Sequence, residues 1–413
     1  MQQDDTVLIL GGGQAAAQCA ASLRRFGWEG RIIIAGEEPH PPYQRPPLSK
    51  DYLSGAIEED RLWLQPPETW QAQSVELRLG VKAEAIDRGA KTVRFNDGSV
   101  EAYTHLVIAT GARVRPLPVP GAELDGVRYL RTIADVDRLK ADVVPGKQIA
   151  IIGAGYIGLE AAAVATKLGA KAVVIEAMPR CLARVAVPEL SQFYREAHGR
   201  RGVEFFCDAQ VVSLKGDDGH ITGVELASGE NVACDSALVG IGVIPNAEIA
   251  AEAELETGNG IHVDTACQTR DASIYAIGDV AAQPYWLSGD RLRIESVPNA
   301  IEQGKQAAAA ICGAPAPKPE VPWFWSDQFD LKLQTAGLFQ GADTLVERVT
   351  GEEQRSFFHL KDGALIAADC INDPQSFMAA KMMIAKGLAP DAAALADTGQ
   401  AMKDVMKQAM AAG

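Results

Sequence analysis

Two short glycine-rich turns carry the most specific chemistry in this sequence. Gly11-Gly12-Gly13-Gln14-Ala15-Ala16 has the spacing G-x-G-x-x-A and lies between the apolar run Thr6 to Leu10 and an alanine-rich stretch. Gly11 permits a tight turn, Gly13 lets a pyrophosphate approach the backbone, and Ala16 lets the next helix pack closely on the strand. The free N–H groups and positive dipole end at the helix start, around Gln14 and Ala15, can then hold phosphates. Gly153-Ala154-Gly155-Tyr156-Ile157-Gly158 repeats the pattern. In each copy an acid follows the second strand, Glu37 and Glu176, where a carboxylate can accept ribose hydroxyls. At Glu176 this favours the 2′-hydroxyl of NAD over the 2′-phosphate of NADP. Arg180 and Arg184 follow and could instead serve a 2′-phosphate, contact a pyrophosphate or lie in a solvated loop. One such turn is a weak signal. Two in one chain imply two dinucleotides, a flavin that accepts a hydride and a nicotinamide that gives it.

The elements around these turns read as α/β. Short apolar runs alternate with alanine-rich helical stretches, the mark of parallel sheets with crossover helices. Strands are expected at 6–10 and 31–35 around a helix from about Ala15 to Phe26, and again at 148–152 and 172–175 around a helix ending near Leu168. Leu106 to Thr110 and Ile274 to Ile277 read as further strands of the first unit, so the second unit is inserted in the first. The expected fold is thus two Rossmann-like dinucleotide-binding domains plus a small C-terminal α+β domain. The boundaries are 1–112 with 247–320 for the FAD-binding domain, 113–246 for the NAD-binding domain and 321–413 for the third. A proline-rich linker covers Ala314 to Pro322. Strands at 331–338, 356–360 and 364–369 and a long Ala/Met/Lys helix follow it.

Composition narrows the partners. The net charge of -15 argues against nucleic acid held by bulk electrostatics, and docking of an acidic protein would need a local basic patch. Seven cysteines stand at 19, 181, 207, 234, 267, 312 and 370, with no CxxC or zinc spacing, so neither a metal site nor a disulfide framework is expected. A reducing cytosol fits. The N-terminus shows no secretion signal, and no apolar run approaches the roughly 20 residues of a membrane-spanning helix.

Further motifs bring a resemblance into view. Leu106 to Arg113, with Ala109-Thr110-Gly111 at its centre, Ile274 to Asp279, and Leu238 to Asn246, which contains Gly242, resemble motifs of the pyridine-nucleotide-disulfide oxidoreductase class, whose fold is glutathione reductase-like. Within it, Pro42-Tyr43-Gln44-Arg45-Pro46-Pro47-Leu48-Ser49-Lys50, Arg293 to Ala300 and Pro322 to Gln328 are similar to the oxygenase-coupled ferredoxin reductases. The resemblance covers essentially the whole chain. It implies FAD as cofactor, NADH as donor, and a two-iron ferredoxin of an aromatic-ring dioxygenase or haem monooxygenase system as acceptor. Rubredoxin, a quinone or monodehydroascorbate are other acceptors within reach, and an apoptosis-inducing-factor-like signalling flavoprotein is the reading of a different class.

Residue roles follow from the resemblance. Gly278 and Asp279 meet FAD, the Asp at its ribityl or phosphate end, although Asp279 could equally cap a helix. Redox cysteines of related disulfide reductases follow the second strand; here Pro41 to Pro47 holds none, so no thiol relays electrons, and Cys19 reads as a packed hydrophobe. Lys50 is expected to pair with Glu160 near flavin N5 and stabilise the reduced ring, against the plainer reading of an ordinary ion pair. Arg45 and Arg113 are expected at the FAD phosphates or ordering their loops. A helix beginning at Pro298 would point its positive end, with N–H groups near Ser296 and Val297, at the flavin C2 carbonyl. Trp325 is expected at the flavin's dimethylbenzene edge, with Trp323 in the core. Arg291, Arg293 and Lys332 form a candidate docking patch for ferredoxin, each singly a solvated charge.

Overall fold

The computed structural model describes residues 5–412. In chain order its first elements are β1 (Thr6–Leu10), α1 (Gln14–Arg25), β2 (Arg31–Gly36), β3 (Val75–Leu79), β4 (His105–Ile108), β5 (Val127–Arg128) and α2 (Ile133–Asp142). Next come β6 (Gln148–Ile152), α3 (Tyr156–Lys167), β7 (Lys171–Ile175), α4 (Pro188–Arg200), β8 (Glu204–Phe206), β9 (Ser236–Val239), β10 (Ile274–Ala276) and α5 (Val297–Cys312). The C-terminal stretch holds β11 (Trp323–Gln328), β12 (Leu331–Gly337), β13 (Thr344–Gly351), β14 (Gln354–Lys361), β15 (Ala364–Ile371), α6 (Pro374–Ala385), α7 (Ala392–Ala396) and α8 (Met402–Ala412). The chain falls into two compact units. The first comprises residues up to Gln44, Leu62–Arg113 and Ile244–Phe324; the second comprises Arg45–Arg61, Val114–Val243 and Trp325 onward.

In the first unit a sheet of order β10-β4-β1-β2-β3 is parallel throughout. Every residue of β1 is buried, because both faces of the sheet are covered. Val7 and Ile9 join the core under α1 and α5, while Leu8 and Leu10 join Ile33, Phe95 and Leu255 on the opposite face. The two-residue period of the strand thus feeds two separate cores. The placement of β10 beside β4 bears out the insertion, since everything between them in sequence leaves this sheet and returns.

The second unit repeats the plan with the parallel order β8-β7-β6-β9-β5. Ala150, Ile152, Val173 and Ile175 meet Leu214, Ile221, Val224 and Leu226 of a small antiparallel sheet. A five-stranded sheet of order β11-β12-β15-β14-β13 follows, in which the pairs β12–β15, β15–β14 and β14–β13 are antiparallel. Strands β11 and β13 were not expected from the sequence. The expected single tail helix is instead three, because Gly387 turns left-handed at φ +62°, Pro390 follows, and Asp391 caps a new start by accepting the Ala394 N–H. Among the described residues no helix is long and apolar enough to cross a membrane.

Helices α1 and α5 approach closely at Gly304, where a Cβ would lie 3.0 Å from both the Ala15 carbonyl oxygen and the Cys19 nitrogen. Gly304→Val should therefore force the helices apart and destabilise the protein by about 1–3 kcal/mol, a loss readable as a lowered melting temperature.

Candidate functional site

The first glycine turn is shaped from both sides. Gly11 sits at φ +110°, and a Cβ there would lie 2.2 Å from the Ala109 carbonyl oxygen, so the Ala109-Thr110-Gly111 segment is pressed against the turn. Thr110 is fastened by Asn246, which accepts its hydroxyl at 2.8 Å and donates its side-chain amide to the Thr110 carbonyl at 2.9 Å. A Cβ on Gly13, by contrast, would meet nothing within 4 Å. The helix it opens, α1, has no side-chain cap and no acid in its first turn. Gly278 lies beside this helix start, its ideal Cβ position 3.0 Å from the Ala15 Cβ, and its N–H donates to Gln303 Oε1 at 2.7 Å. An open, uncapped helix start with backbone on either side fits a dinucleotide pyrophosphate. These features fit FAD.

Other first-unit residues fall as follows. Glu37 is exposed, with Lys82 Nζ 3.5 Å from its carboxylate. Arg113 is exposed and donates to Asn246 Oδ1 and Glu248 Oε1. The Asp279 carbonyl accepts from Arg293 at 3.0 Å. Ser296 caps α5 by accepting the Asn299 N–H, and Val297, not Pro298, is the first helical residue. Arg293 is corrected as a docking charge: its side chain is 8% exposed and is held by Glu295 at 2.6 Å. Arg291 stays at the surface, although its guanidinium donates to the Val263 and Ala282 carbonyls.

The second turn repeats the first. Gly153 sits at φ +104° with the Gly240 carbonyl where a Cβ would go, and a Cβ on Gly155 would meet open space. Helix α3 likewise has no side-chain cap. Glu176 does more than the sequence suggests: its carboxylate accepts the Ala154 N–H at 2.7 Å and the Met178 N–H at 2.8 Å, so it also braces the turn. The exposed Arg184 guanidinium lies over Gly242, about where a side chain there would point. Arg180 is corrected as a 2′-phosphate partner, because it donates to the Ala186 and Ala183 carbonyls and to Ser191 Oγ. Ile157 is exposed at the helix start. The Tyr156 phenol is pushed up by burial and by the negative Asp369 and Glu160.

The expected Lys50–Glu160 pair is present within the second unit, with Lys50 Nζ 2.7 Å from Glu160 Oε2. Glu160, on α3, is only 2% exposed and is fully engaged. Its Oε2 also accepts Ser49 Oγ at 2.5 Å, and its Oε1 accepts Ser326 Oγ at 2.6 Å. Ser326 in turn accepts Gln328 Nε2 at 3.0 Å, and Gln328 Oε1 meets His198 Nε2 at 2.8 Å. Ser326, Gln328 and His198 are all 0% exposed. No sequence signal assigns a role to Ser49, Ser326, Gln328 or His198. The first three lie inside recognisable motifs, but nothing in the sequence pairs His198 with them. The 45–61 segment is also tied to α2, where Tyr52 Oη donates to Asp137 at 2.8 Å and Lys140 Nζ lies 3.3 Å from the Tyr52 ring centroid. Arg45 donates to the Arg131 carbonyl at 2.5 Å, tying its segment to the stretch that leads into α2. Trp325 lies half-buried on β11, and Lys332 lies exposed on β12. Cys19 is fully buried, and burial pushes its thiol up, which suits inert packing.

Two outcomes follow from this geometry. Gly13→Ala should leave the melting temperature of the flavin-free protein close to that of the unsubstituted chain and weaken flavin binding, whereas Gly11→Ala should fold poorly; flavin titration alongside thermal melts separates the two. The second concerns His198, which burial, assisted by Arg201 and opposed by the bond to Gln328, lowers from 6.5 to about 4. The unfolded chain then binds more protons between these values, so stability is full above pH 6.5 and falls as the pH drops toward 4, by on the order of 3 kcal/mol. His198→Gln should flatten that part of the stability–pH curve.

Comparison with known proteins agrees with this geometry. Residues 5–304 match the family model described as pyridine nucleotide-disulphide oxidoreductase, and residues 323–406 match that described as reductase C-terminal. The chain is 47% identical over 388 residues to a probable ferredoxin reductase, CtmF, of Castellaniella defragrans, spanning 93% of this chain and 94% of that protein. It is 39% identical over 370 residues to a rubredoxin-NAD(+) reductase of Pseudomonas putida, spanning 89% of this chain and 96% of that one. The crystal structure of a covalent putidaredoxin reductase–putidaredoxin complex superposes with a TM-score of 0.97 at 36% identity, covering 99% of this chain and 100% of that one. The chain belongs to the pyridine nucleotide-disulphide oxidoreductase family, as an FAD-dependent oxidoreductase that draws on a nicotinamide dinucleotide.

Proposed function

We propose that this protein is an NADH-dependent ferredoxin reductase. It takes electrons from NADH through FAD to a two-iron ferredoxin serving an aromatic-ring dioxygenase or haem monooxygenase system. The observation that carries the reading is the pair of uncapped helix starts, each behind an open glycine, in a chain whose 41–47 segment holds no thiol. When bound, FAD converts a two-electron hydride donor into a source of single electrons.

The chain's own groups then bind and orient. The first turn with Gly278, Asp279 and the α5 start holds FAD, with Glu37 toward its ribose. The second turn with Glu176, Arg184 and Gly242 holds NADH, and the carboxylate supports NADH over NADPH. Lys50, oriented by Glu160, supplies the cation that steadies negative charge on the reduced flavin. Trp325 is assigned to the flavin edge, and Lys332 with Arg291 to docking of an acidic ferredoxin. The reading keeps FAD on 1–112 and 247–320, NADH on 113–246 and a C-terminal domain at 321–413, and it places the protein in a reducing cytosol. A rubredoxin acceptor is the second reading, favoured by the similarity to a rubredoxin reductase.

Rapid mixing of the flavin-loaded protein with NADH should bleach the flavin, and a two-iron ferredoxin should then be reduced catalytically. Reduction of rubredoxin alone would move the assignment to the second reading, and failure to bind flavin would end both. Lys50→Met should slow flavin reduction at saturating NADH by about tenfold or more. It should also destabilise the protein by roughly 3 kcal/mol, since it leaves the Glu160 charge buried without its partner.

A further inference from the structure

We propose that His198 is a positioning residue for electron transfer, setting the orientation of the Glu160–Lys50 pair through Gln328 and Ser326. The inference rests on the role given to Lys50 above and goes beyond it by naming what fixes that lysine's partner.

The direction of the chain can be worked out from Glu160. A carboxylate paired with an ammonium only accepts hydrogen bonds, so the single hydroxyl hydrogen of Ser326 goes to Glu160 Oε1. Ser326 must then accept from Gln328, which turns the amide NH2 toward the serine and its carbonyl toward His198. His198 therefore carries its hydrogen on Nε2. Its Nδ1 is buried without a hydrogen-bond partner. Every donor in the series points the same way, from α4 through β11 to the carboxylate on α3. A reversed amide would take the serine hydrogen and leave one Glu160 oxygen unsupported.

The histidine is held at a set angle. Phe329 meets its ring edge-on at 5.0 Å and 70°, Phe205 at 6.1 Å and 80°, and Tyr194 tilts against it at 6.2 Å. The ring stays neutral at ordinary pH because burial lowers it, as described above. The neutral ring supplies the donor that the Gln328 carbonyl accepts, and it adds no charge beside the Glu160 pair. A leucine or phenylalanine would fill the same space without stranding a buried nitrogen, which costs about 1–3 kcal/mol. The retained imidazole is accounted for by its donor.

The test uses the flavin-loaded protein and separates the rate of flavin reduction at saturating NADH from the KM for NADH. His198→Phe keeps a ring but removes the donor, and it should lower the rate about fivefold to tenfold and shift the flavin potential to more negative values. The KM for NADH should stay unchanged. His198→Gln, which restores an N–H donor, should recover most of the loss. Ser326→Ala and Gln328→Leu break the chain at other links and should reproduce the loss even if His198→Phe fails to accumulate. The His198→Phe/Ser326→Ala double variant should be no slower than the slower single variant. Additive losses, or wild-type rate and potential in the broken-chain variants, would overturn the proposal. Lys50→Met run in parallel tells the two failures apart. A slowed Lys50→Met beside unaffected chain variants removes only the role of His198; an unaffected Lys50→Met removes the role of Lys50 and this inference with it.

Discussion

A single buried negative charge organises the second unit. Glu160 is almost fully removed from water, and an uncompensated carboxylate there would cost several kcal/mol. Its three partners come from stretches far apart in sequence: Ser49 and Lys50 from the segment before the first domain's third strand, and Ser326 from the C-terminal sheet. Satisfying one side chain therefore requires three pieces of chain to arrive together. The ammonium held this way is the group to which the flavin chemistry is assigned.

The two glycine turns solve a different problem with the same means. Each has one glycine pressed against a carbonyl and another facing open space, and each leaves its helix without a side-chain cap. Helix α2 shows that this is a matter of sequence. There Thr132 and Asp135 form a complete capping box, with the Thr132 side chain accepting the Asp135 N–H and the Asp135 side chain accepting the Thr132 N–H. Where the protein closes a helix for itself it spends one side chain, as at α5 and α7, or two, as at α2; at α1 and α3 it keeps the start clear.

What was legible in the sequence was what depends on local pattern. The turns, the strands with their acids and the insertion could all be read because glycine spacing and apolar runs are short-range signals. Strand β11 is hard to read because Trp323-Phe324-Trp325 lacks the polar–apolar alternation of a strand, and the apolar tail reads as one helix unless Gly387 and Pro390 are weighed as a break. The partners of Glu160 beyond Lys50 were out of reach. A serine, a glutamine and a histidine at 326, 328 and 198 form a chain only once α4 and β11 are folded side by side. Arg180 and Arg293 show the converse: an arginine near a motif looks available in the sequence, and folding commits its guanidinium to carbonyls or to a neighbouring acid.

The open helix starts tie folding to metabolite supply. Backbone donors at the first turn of α1 and of α3 would gain acceptors from bound phosphates, so each dinucleotide would stabilise the unit that holds it by an amount that grows with the logarithm of its free concentration relative to its dissociation constant. A tightly held flavin makes that contribution permanent and becomes in effect a structural member of its unit. On the proposed assignment, a nicotinamide that exchanges each turnover makes it intermittent, so the stability of the second unit would follow the supply of that dinucleotide.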